Sequence, residues 1–267
     1  QRQMCIRDSS FTVYDAEELG GDEIWTIYSD GKNILWASAL GGGVNKVVKR
    51  KVAFRHDILS AGTAGNGIIT ALYEDESSMV WVGARSDILL LWDKKTGKQY
   101  SYKEREVLKD ISREGNAVQA IIKHRRTGSI WLGTRYDGVY VVECDEAKPV
   151  SLMRLRDEYP SLRNINALSQ DTVGRVWIAT EQGLFIGNTV NSRKFLVQPV
   201  EILNDTINHE CVQTLLCDKK GIWIGTKNYG AFHLSVDGEL TGYNLANGKL
   251  NYDNVLCFYQ DPNGQLS

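Results

Sequence analysis

The sequence has little proline, no long hydrophobic run and no marked excess of charge, and each of these absences narrows what the protein can do. Its 267 residues include four prolines against 25 glycines and 9% aromatic residues, a composition typical of many short strands joined by tight turns. The longest uncharged apolar run, Ile88–Trp92, is far shorter than the roughly 18 residues of a membrane-spanning helix. The net charge of −2 provides no global positive field. We therefore expect no nucleic acid partner and no membrane contact in this segment.

Cysteine and histidine are also sparse, and their spacing excludes the common metal and disulfide frameworks. The five cysteines form no C-x-x-C pair and are odd in number. Two of them, Cys217 and Cys257, fall in strand-like runs and are expected to be small apolar fillers. The four histidines are widely separated, so we expect no metal site and no cofactor. The cysteines are Cys5, Cys144, Cys211, Cys217 and Cys257, and the histidines are His56, His124, His209 and His233.

A repeat of about 46 residues is the strongest signal in the chain. Six segments align, each with an aliphatic residue first, a small residue in the third position of most copies, and Asp in the seventh position of all but one. Their starts lie 45, 49, 47, 47 and 43 residues apart. The segments are Ile24–Asp30, Ile69–Asp75, Val118–His124, Ile165–Asp171, Val212–Asp218 and Val255–Asp261. Each of the first five is followed by a second short run that opens with tryptophan, at Trp36, Trp81, Trp131, Trp177 and Trp223.

Each repeat is predicted to form four antiparallel strands. The first run is a strand, the Asp opens a turn by accepting a backbone N–H, and the Trp run returns antiparallel. Small residues within both runs indicate close approach to a neighbouring sheet. A glycine turn then leads to a third run, such as Val139–Val142, and to a more variable fourth run, such as Lys194–Gln198. Four strands per 46 residues is the period of a β-propeller blade, whereas helical solenoids need a 3.6-residue periodicity that is missing.

The pattern V-x-A-I-x-x-D-x-x-G-x-I-W-I-G-T-x-x-G-G-L resembles the two-component regulator propeller repeat. Val212–Leu234 and Ile165–Ile186 are the best copies, and the similarity covers residues 11–267. WD40 repeats match less well, because no Gly-His opening or Trp-Asp ending recurs. Two copies depart from the pattern: His124 replaces the turn Asp, and Ser86-Asp87 replaces the glycine pair. We expect altered turns in those two blades.

The predicted fold is an all-β propeller of four-stranded antiparallel blades, with about five blades and a partial blade at each end. Residues 1–10 are a leader outside the repeat and could be foreign to the natural protein. Phe11–Tyr14 is read as the last strand of a preceding blade, and the inner strands begin near residues 24, 69, 118, 165, 212 and 255. Such an arrangement is part of a larger ring, of seven blades in the family that it resembles. An open slice leaves apolar blade faces uncovered, so we expect it to be marginally stable alone.

The resemblance implies the periplasmic sensor region of a bacterial hybrid two-component histidine kinase. Its ligand would be an oligosaccharide or another small molecule, and the parent protein would form a homodimer. The kinase, the membrane span and the linker domain of such proteins are not within these residues. Two alternatives remain open: a carbohydrate-active propeller enzyme, such as a glycosidase or lyase, and a protein-interaction scaffold. No carboxylate pair or nucleophile motif marks an active site, so we expect no enzymatic activity in this segment and no catalytic residue.

Two sets of loops are predicted to meet at one mouth of the propeller. One set precedes each inner strand and includes Asn116, Asn164, Glu210 and the pair Asp253-Asn254. The other follows each Trp run, where the framework repeats but its polar residues differ, as a binding face requires. The candidate ligand-binding residues are Arg85, Arg135, Tyr136, Glu181, Gln182, Lys227, Asn228 and Tyr229, and the same position in the first repeat is Leu40.

Three of these candidates are cations at one repeat position: Arg85, Arg135 and Lys227. They suggest a basic ring that favours a uronate or a sulfated sugar, although they could equally be solvated loop charges. The five repeating tryptophans are predicted to be structural and to pack between blades rather than to bind ligand. Replacing Trp177 by Ala is expected to lose about 3 to 5 kcal/mol of stability. Trp25 and Trp92 lie off the repeat and are expected to be less constrained.

Overall fold

The computed structural model of the protein is all-β in the residues that it describes. These are residues 23–29, 34–39, 43–48, 52–57, 68–85, 89–101, 116–145, 148–191, 194–201, 209–261 and 266. They contain twenty strands and no α-helix, with one 3-10 turn at Leu155–Asp157. The leader 1–10, the strand expected at Phe11–Tyr14, Cys5, Leu40 and the pair Ser86-Asp87 lie outside the described residues.

The strands form five four-stranded antiparallel sheets, each built from consecutive strands in chain order, and these sheets are the predicted blades. Blade 1 holds β1 Ile24–Ser29, β2 Ile34–Ala39, β3 Gly43–Val48 and β4 Val52–Asp57; blade 2 holds β5 Ile69–Glu74, β6 Met79–Ala84, β7 Leu89–Asp93 and β8 Gln99–Ser101. Blade 3 holds β9 Val118–Lys123, β10 Ile130–Thr134, β11 Gly138–Asp145 and β12 Lys148–Arg154; blade 4 holds β13 Ile165–Gln170, β14 Val176–Thr180, β15 Gly183–Asn191 and β16 Lys194–Pro199. Blade 5 holds β17 Val212–Cys217, β18 Gly221–Thr226, β19 Ala231–Ser235 and β20 Leu240–Tyr243.

The hairpin between the first two strands of a blade is held by the predicted Asp. In blade 4, Asp171 Oδ1 accepts hydrogen bonds from the N–H groups of Val173 and Arg175 at 3.1 and 2.9 Å. Its other oxygen accepts from the Trp177 indole N–H at 3.1 Å. Gly174 sits in the same turn with φ of +92°, a conformation that glycine adopts without strain. One carboxylate therefore fixes the turn and anchors the tryptophan that follows it.

The turn of blade 3, where His124 stands in place of the Asp, is one residue longer than that of blade 4, because the His124 N–H donates to the Ser129 carbonyl whereas the Asp171 N–H donates to the Arg175 carbonyl. The imidazole Nδ1 accepts a hydrogen bond from the Thr127 N–H at 3.2 Å, which reproduces the role of a carboxylate oxygen. The ring is fully buried, and its Nε2 lies 3.0 Å from the Gly174 carbonyl oxygen of blade 4. Because Nδ1 is an acceptor, Nε2 carries the proton and donates it. The altered turn expected in this blade is therefore confirmed, and His124 adds a link between blades 3 and 4.

Neighbouring blades are joined by apolar clusters, each shared by two consecutive blades. Trp131 of blade 3 is fully buried and meets Phe195 of blade 4 edge-on, with ring centroids 4.9 Å apart. Trp36, Trp81 and Trp177 are also buried in these clusters, as predicted for residues that pack between blades. Trp223 is half-buried, and its ring lies 6.2 Å from that of Phe258.

Two expectations about individual residues were wrong: that Trp92 is loosely constrained, and that Cys257 is a small apolar filler. Trp92 is buried rather than loosely constrained, because its ring packs edge-on against Trp36 of blade 1 at 5.5 Å. Cys257 is exposed and lies outside any strand, so it is not an apolar filler, whereas Cys217 is half-buried in β17. Trp25, the other tryptophan off the repeat, is 55% exposed.

The glycine of the Trp run allows the blades to approach closely. A methyl group added at Gly133 would lie 2.5 Å from Cγ2 of Ile165, the first residue of the inner strand of blade 4. The same glycine in blade 2, Gly83, would place its methyl 2.9 Å from Val118 of blade 3. The small residues predicted at this position are therefore required by the contact between blades.

The sixth copy packs like an inner strand but does not form one. Val255 lies against Gly225 of blade 5, as Ile165 lies against Gly133, and its N–H donates to the Thr226 carbonyl at 2.9 Å. Residues 252–259 are nevertheless irregular, and only an isolated bridge joins Gln260 to Leu266. The strand predicted to begin near residue 255 is thus absent from the described structure, which holds no second strand for it to pair with.

Candidate functional site

The predicted ligand-binding positions occupy equivalent places in four blades. The residue four positions after each tryptophan donates its backbone N–H to the carbonyl of the residue that precedes the inner strand. These bonds join Arg85 to Ile68, Arg135 to Ala117, Glu181 to Asn164 and Lys227 to Cys211, at 3.0, 3.0, 3.2 and 3.0 Å. The two predicted sets of loops therefore meet on one face of the propeller, which we call the loop face. Leu40 lies outside the described residues.

A buried threonine fixes the loop after the Trp run in blades 3, 4 and 5. In blade 3, the Thr134 hydroxyl donates to the Gly138 carbonyl at 2.8 Å and accepts from the Asp137 N–H at 3.1 Å. Thr180 binds Gly183 and Gln182 in the same way, and Thr226 binds Gly230 and Tyr229. All three threonines are fully buried, so the loops rest on rigid supports. Sequence reasoning read this position only as small, although the recurrence of Thr there was a visible signal.

Three amide–carboxylate pairs connect the two sets of loops. In blade 3, Asn116 Nδ2 donates to Asp137 Oδ2 at 3.2 Å. In blade 4, Asn164 Nδ2 donates to Glu181 Oε2 at 2.6 Å, and in blade 5 the order is reversed, with Asn228 donating to Glu210 Oε1 at 2.6 Å. The pairs of blades 4 and 5 are exposed, and each orients one amide oxygen and one carboxylate, the groups that accept hydrogen bonds from hydroxyls. The blade 3 pair is buried, and its amide oxygen accepts the Tyr136 N–H, so it supports the loop. Asp137 was not among the predicted site residues.

Exposed tyrosines flank these pairs. Tyr136 is 48% exposed and Tyr229 is 37% exposed, next to Asp137 and Asn228 respectively. The Arg135 guanidinium lies over the Tyr136 ring at 5.3 Å, and Arg156 Nη1 donates to the Tyr136 carbonyl at 2.9 Å. Arg135 thus contacts the ring and Arg156 holds the backbone of Tyr136, while part of the aromatic surface stays open. Aromatic faces of this kind pack against the C–H surfaces of small organic ligands.

Cys211 lies among these groups but is not activated as a nucleophile. Burial raises the pKa of its thiol, and the Glu181 carboxylate raises it further, so the sulfur is protonated at neutral pH. Asn166 Nδ2 lies 3.6 Å from the sulfur and donates to the Val212 carbonyl at 2.8 Å. Cys211 therefore contributes a neutral surface at the junction of blades 4 and 5.

The remaining candidates show no metal site. No group of three or more His, Cys, Asp or Glu side chains is arranged to hold a metal ion within the described part of the chain. Asp253 Oδ1 accepts a hydrogen bond from the Leu245 N–H at 2.7 Å and is committed to that loop, and Glu23 is exposed at the start of blade 1. Gln182 is exposed beside Glu181. The chemistry that the loop face offers is therefore hydrogen bonding, aromatic contact and charge.

No protein-family model and no curated protein matches the chain. The chain is similar in fold to many solved structures. PorZ, a surface component of the type-IX secretion system of Porphyromonas gingivalis, has a TM-score of 0.66 with 14% identity over 92% of this chain and 38% of its own. The extracellular domain of a B. thetaiotaomicron protein described as a hybrid two-component system has a TM-score of 0.54 with 18% identity over 95% of this chain and 34% of its own.

A third similar structure is an enzyme, streptogramin B lyase, with a TM-score of 0.62 and 12% identity over 82% of this chain and 68% of its own. At these identities the three similarities show a shared fold. The chain spans little more than a third of PorZ and of the B. thetaiotaomicron domain. The comparisons therefore establish the propeller and leave its function to be argued from the loop face.

Proposed function

We propose that this chain is the ligand-sensing propeller of a bacterial two-component sensor kinase, and that it binds a glycan fragment or a similar small polar molecule at the loop face. The observation that carries the proposal is the presence of two exposed amide–carboxylate pairs on blades 4 and 5, both at 2.6 Å, beside the open rings of Tyr136 and Tyr229. The rigid threonine supports beneath them reduce the entropy lost when a ligand binds. The B. thetaiotaomicron structure, described as the extracellular domain of a hybrid two-component system and similar in fold, supports the signalling role.

In this proposal the chain binds its ligand without altering it, lies in the periplasm and passes the signal to a kinase outside these residues. A bound ligand can signal only by favouring one arrangement of the subunits over another, which is the reason to expect a homodimer of the parent protein. Within the described residues, no helix combines the length and apolar character needed to cross a membrane.

Calorimetric titration of the full chain with a panel of oligosaccharides, followed by chromatography of the same mixtures, tests the proposal. We expect saturable binding and unchanged oligosaccharides. Tyr136→Ala and Asn228→Ala should each weaken binding about tenfold, the equivalent of about 1.4 kcal/mol. Lys95→Gln is the matched control, because Lys95 is exposed on the turn between β7 and β8, away from the loop face.

Three results would contradict this assignment in different ways. Cleavage of a bound oligosaccharide would support a propeller enzyme, as streptogramin B lyase shows that this fold can carry catalysis. Absence of binding to every oligosaccharide, together with capture of a purified protein partner, would support an interaction scaffold. Equal losses in Tyr136→Ala and Lys95→Gln would remove the loop face as the binding surface.

A further inference from the structure

We propose that the loop face is divided by charge, and that its half on blades 2 and 3 binds an anionic group of the ligand, a carboxylate or a sulfate. This inference rests on the proposed function, since it concerns the same face. We call Arg85, Arg135 and Arg156 the cationic half, and the pairs Asn164–Glu181 and Glu210–Asn228 the amide half. The division replaces the uniform basic ring suggested by the sequence.

Among the described residues of blades 2 and 3, the cationic half presents three guanidinium groups, and Asp137 is the carboxylate in contact with one of them. Arg85 is exposed and Arg135 is half-buried, and neither forms an ion pair with any residue that the structure describes. Arg156 Nη1 lies 3.4 Å from Asp137 Oδ1, but Asp137 also accepts the Asn116 amide and is itself buried. Two arginines on adjacent blades are therefore available to an anion. A guanidinium binds carboxylates and sulfates through paired hydrogen bonds, which a neutral hydroxyl cannot match.

In the amide half, carboxylates outnumber cationic side chains. Lys227 donates its backbone N–H to the Cys211 carbonyl, beside Glu210, and the adjacent Asn228 holds the Glu210 carboxylate at 2.6 Å. Glu181 is the residue of blade 4 at the position that Arg135 holds in blade 3. The charges of Glu181, Glu210 and Lys227 all act on Cys211, so this part of the face carries two carboxylates and one ammonium group and would repel an anion. The geometry orients a ligand, with its anionic group on blades 2 and 3 and its hydroxyls on blades 4 and 5.

Matched pairs of ligands test this inference by titration of the full chain. The carboxylate pair is trigalacturonate and its methyl ester, and the sulfate pair is a neutral trisaccharide and its 6-sulfated form. We expect the charged member of at least one pair to bind about tenfold more tightly than the neutral member. The pair that shows the difference identifies whether a carboxylate or a sulfate is bound. Affinity for the charged member should fall between 50 and 300 mM NaCl, and affinity for the neutral member should not.

Substitutions locate the anion on the face. Arg135→Gln should weaken binding of the charged ligand about tenfold more than binding of the neutral ligand, whereas Lys227→Gln should weaken the two to the same extent and Lys95→Gln should change neither. Equal affinities within both pairs, or a selective loss of the charged ligand in Lys227→Gln as large as in Arg135→Gln, would overturn the charge division while the proposed function stands. No binding of any of the four ligands would overturn both. The salt titration uses the unmodified protein, so the test does not depend on the folding of a variant.

Discussion

Trp131 shows how one residue joins two blades. Its side chain is fully buried, touches Phe195 of blade 4 and lies 3.5 Å from the position of a methyl group added at Gly187. The His124 ring stacks on its other side at 6.3 Å. The indole therefore belongs to the contact between blades, and the same position is buried in blades 1, 2 and 4.

Replacing Trp131 by Ala should lower the free energy of unfolding by about 3 to 5 kcal/mol, because the substitution removes a large buried ring and leaves a cavity between two blades. Chemical denaturation of the full chain measures this loss. Trp25→Ala is the control, since that side chain is 55% exposed and should change stability by less than about 0.5 kcal/mol. Similar losses in the two variants would show that the tryptophans of the repeat do not join the blades.

The individual residues were partly predictable from the sequence. The role of the repeating tryptophans followed from their spacing. A large apolar residue that recurs once per blade is expected to be buried in the contact with the neighbouring blade. Trp92 could not be placed in this way, since it belongs to one blade only and its partner, Trp36, is 56 positions earlier in the chain. The Thr134, Thr180 and Thr226 supports were visible as a recurrence, but their hydrogen bonds depend on glycine turns whose geometry the sequence does not specify.

At the scale of elements, the turn of blade 3 acts as a clasp on blade 4. Besides the His124 bond to Gly174, the Arg125 N–H donates to the Gln170 side chain at 3.0 Å and Arg126 Nη2 donates to the Thr189 carbonyl at 2.9 Å. The Gln170 amide in turn donates to the Gly174 carbonyl at 3.2 Å. These contacts require a neutral imidazole. In a protonated ring Nδ1 also carries a hydrogen, so it could not accept the Thr127 N–H and two donors would face each other.

The clasp should make stability depend on pH. Burial lowers the pKa of His124 below its ordinary value of 6.5, and nearby Arg126 lowers it further, although the bond to the Gly174 carbonyl acts in the opposite direction. Since the unfolded chain binds the proton more readily, folding stability should fall as the pH drops below about 6.5. Above that pH both states are neutral at this site and the contribution is constant.

Unfolding of the full chain at pH 7.5 and pH 5.5 measures this effect, with His124→Asn as the comparison. The Asn oxygen can accept the Thr127 N–H but does not titrate. We expect acidification to destabilise the natural protein more than the variant, by at most about 1.4 kcal/mol, the free energy that one imidazole can lose one pH unit below its ordinary pKa. The other histidines are common to both proteins and cancel. Parallel pH profiles would show that the His124 clasp does not hold a neutral ring.

The elements themselves follow closely from the repeat. The predicted first strands, Trp strands and third strands coincide with the observed ones in blades 2 to 5, because their apolar positions are fixed by contacts on both sides. The sixth copy, Val255–Asp261, carries the same pattern yet forms no strand, since a pattern specifies which face is buried but a ladder also needs a partner. The sequence pattern was necessary for the strand and not sufficient.

At the scale of the whole molecule, blade 1 leaves apolar residues uncovered. Ile24, Ile27 and Leu35 are 40%, 59% and 38% exposed, whereas the residues matching Ile24 and Leu35 in blades 2 to 5 are buried against the preceding blade. The fold class was predictable because every blade repeats the same sequence pattern and the same four consecutive strands.

The arrangement of the loop face was predictable only in outline. The sequence indicated which loops meet, and the backbone bonds after each Trp run confirm it. It did not indicate the pairing of Asn164 with Glu181 or of Glu210 with Asn228, because the donor and acceptor exchange places between blades. Charge at one repeat position likewise suggested a ring, and the division that we propose in its place depends on Glu181, which holds that position in blade 4 between Arg135 and Lys227. Residues of a binding face differ from blade to blade, so the sequence repeat does not indicate which side chains form hydrogen bonds with each other.

Hydrogen–deuterium exchange of the full chain with and without a bound oligosaccharide tests the central claim, that the loop face of blades 2 to 5 receives the ligand. We predict slower exchange at the amides that open the loops after the Trp runs, including Arg135, Tyr136, Glu181 and Lys227, with no change at the outer strands β12, β16 and β20. Protection confined to the outer strands or to the turns on the opposite face would contradict the account.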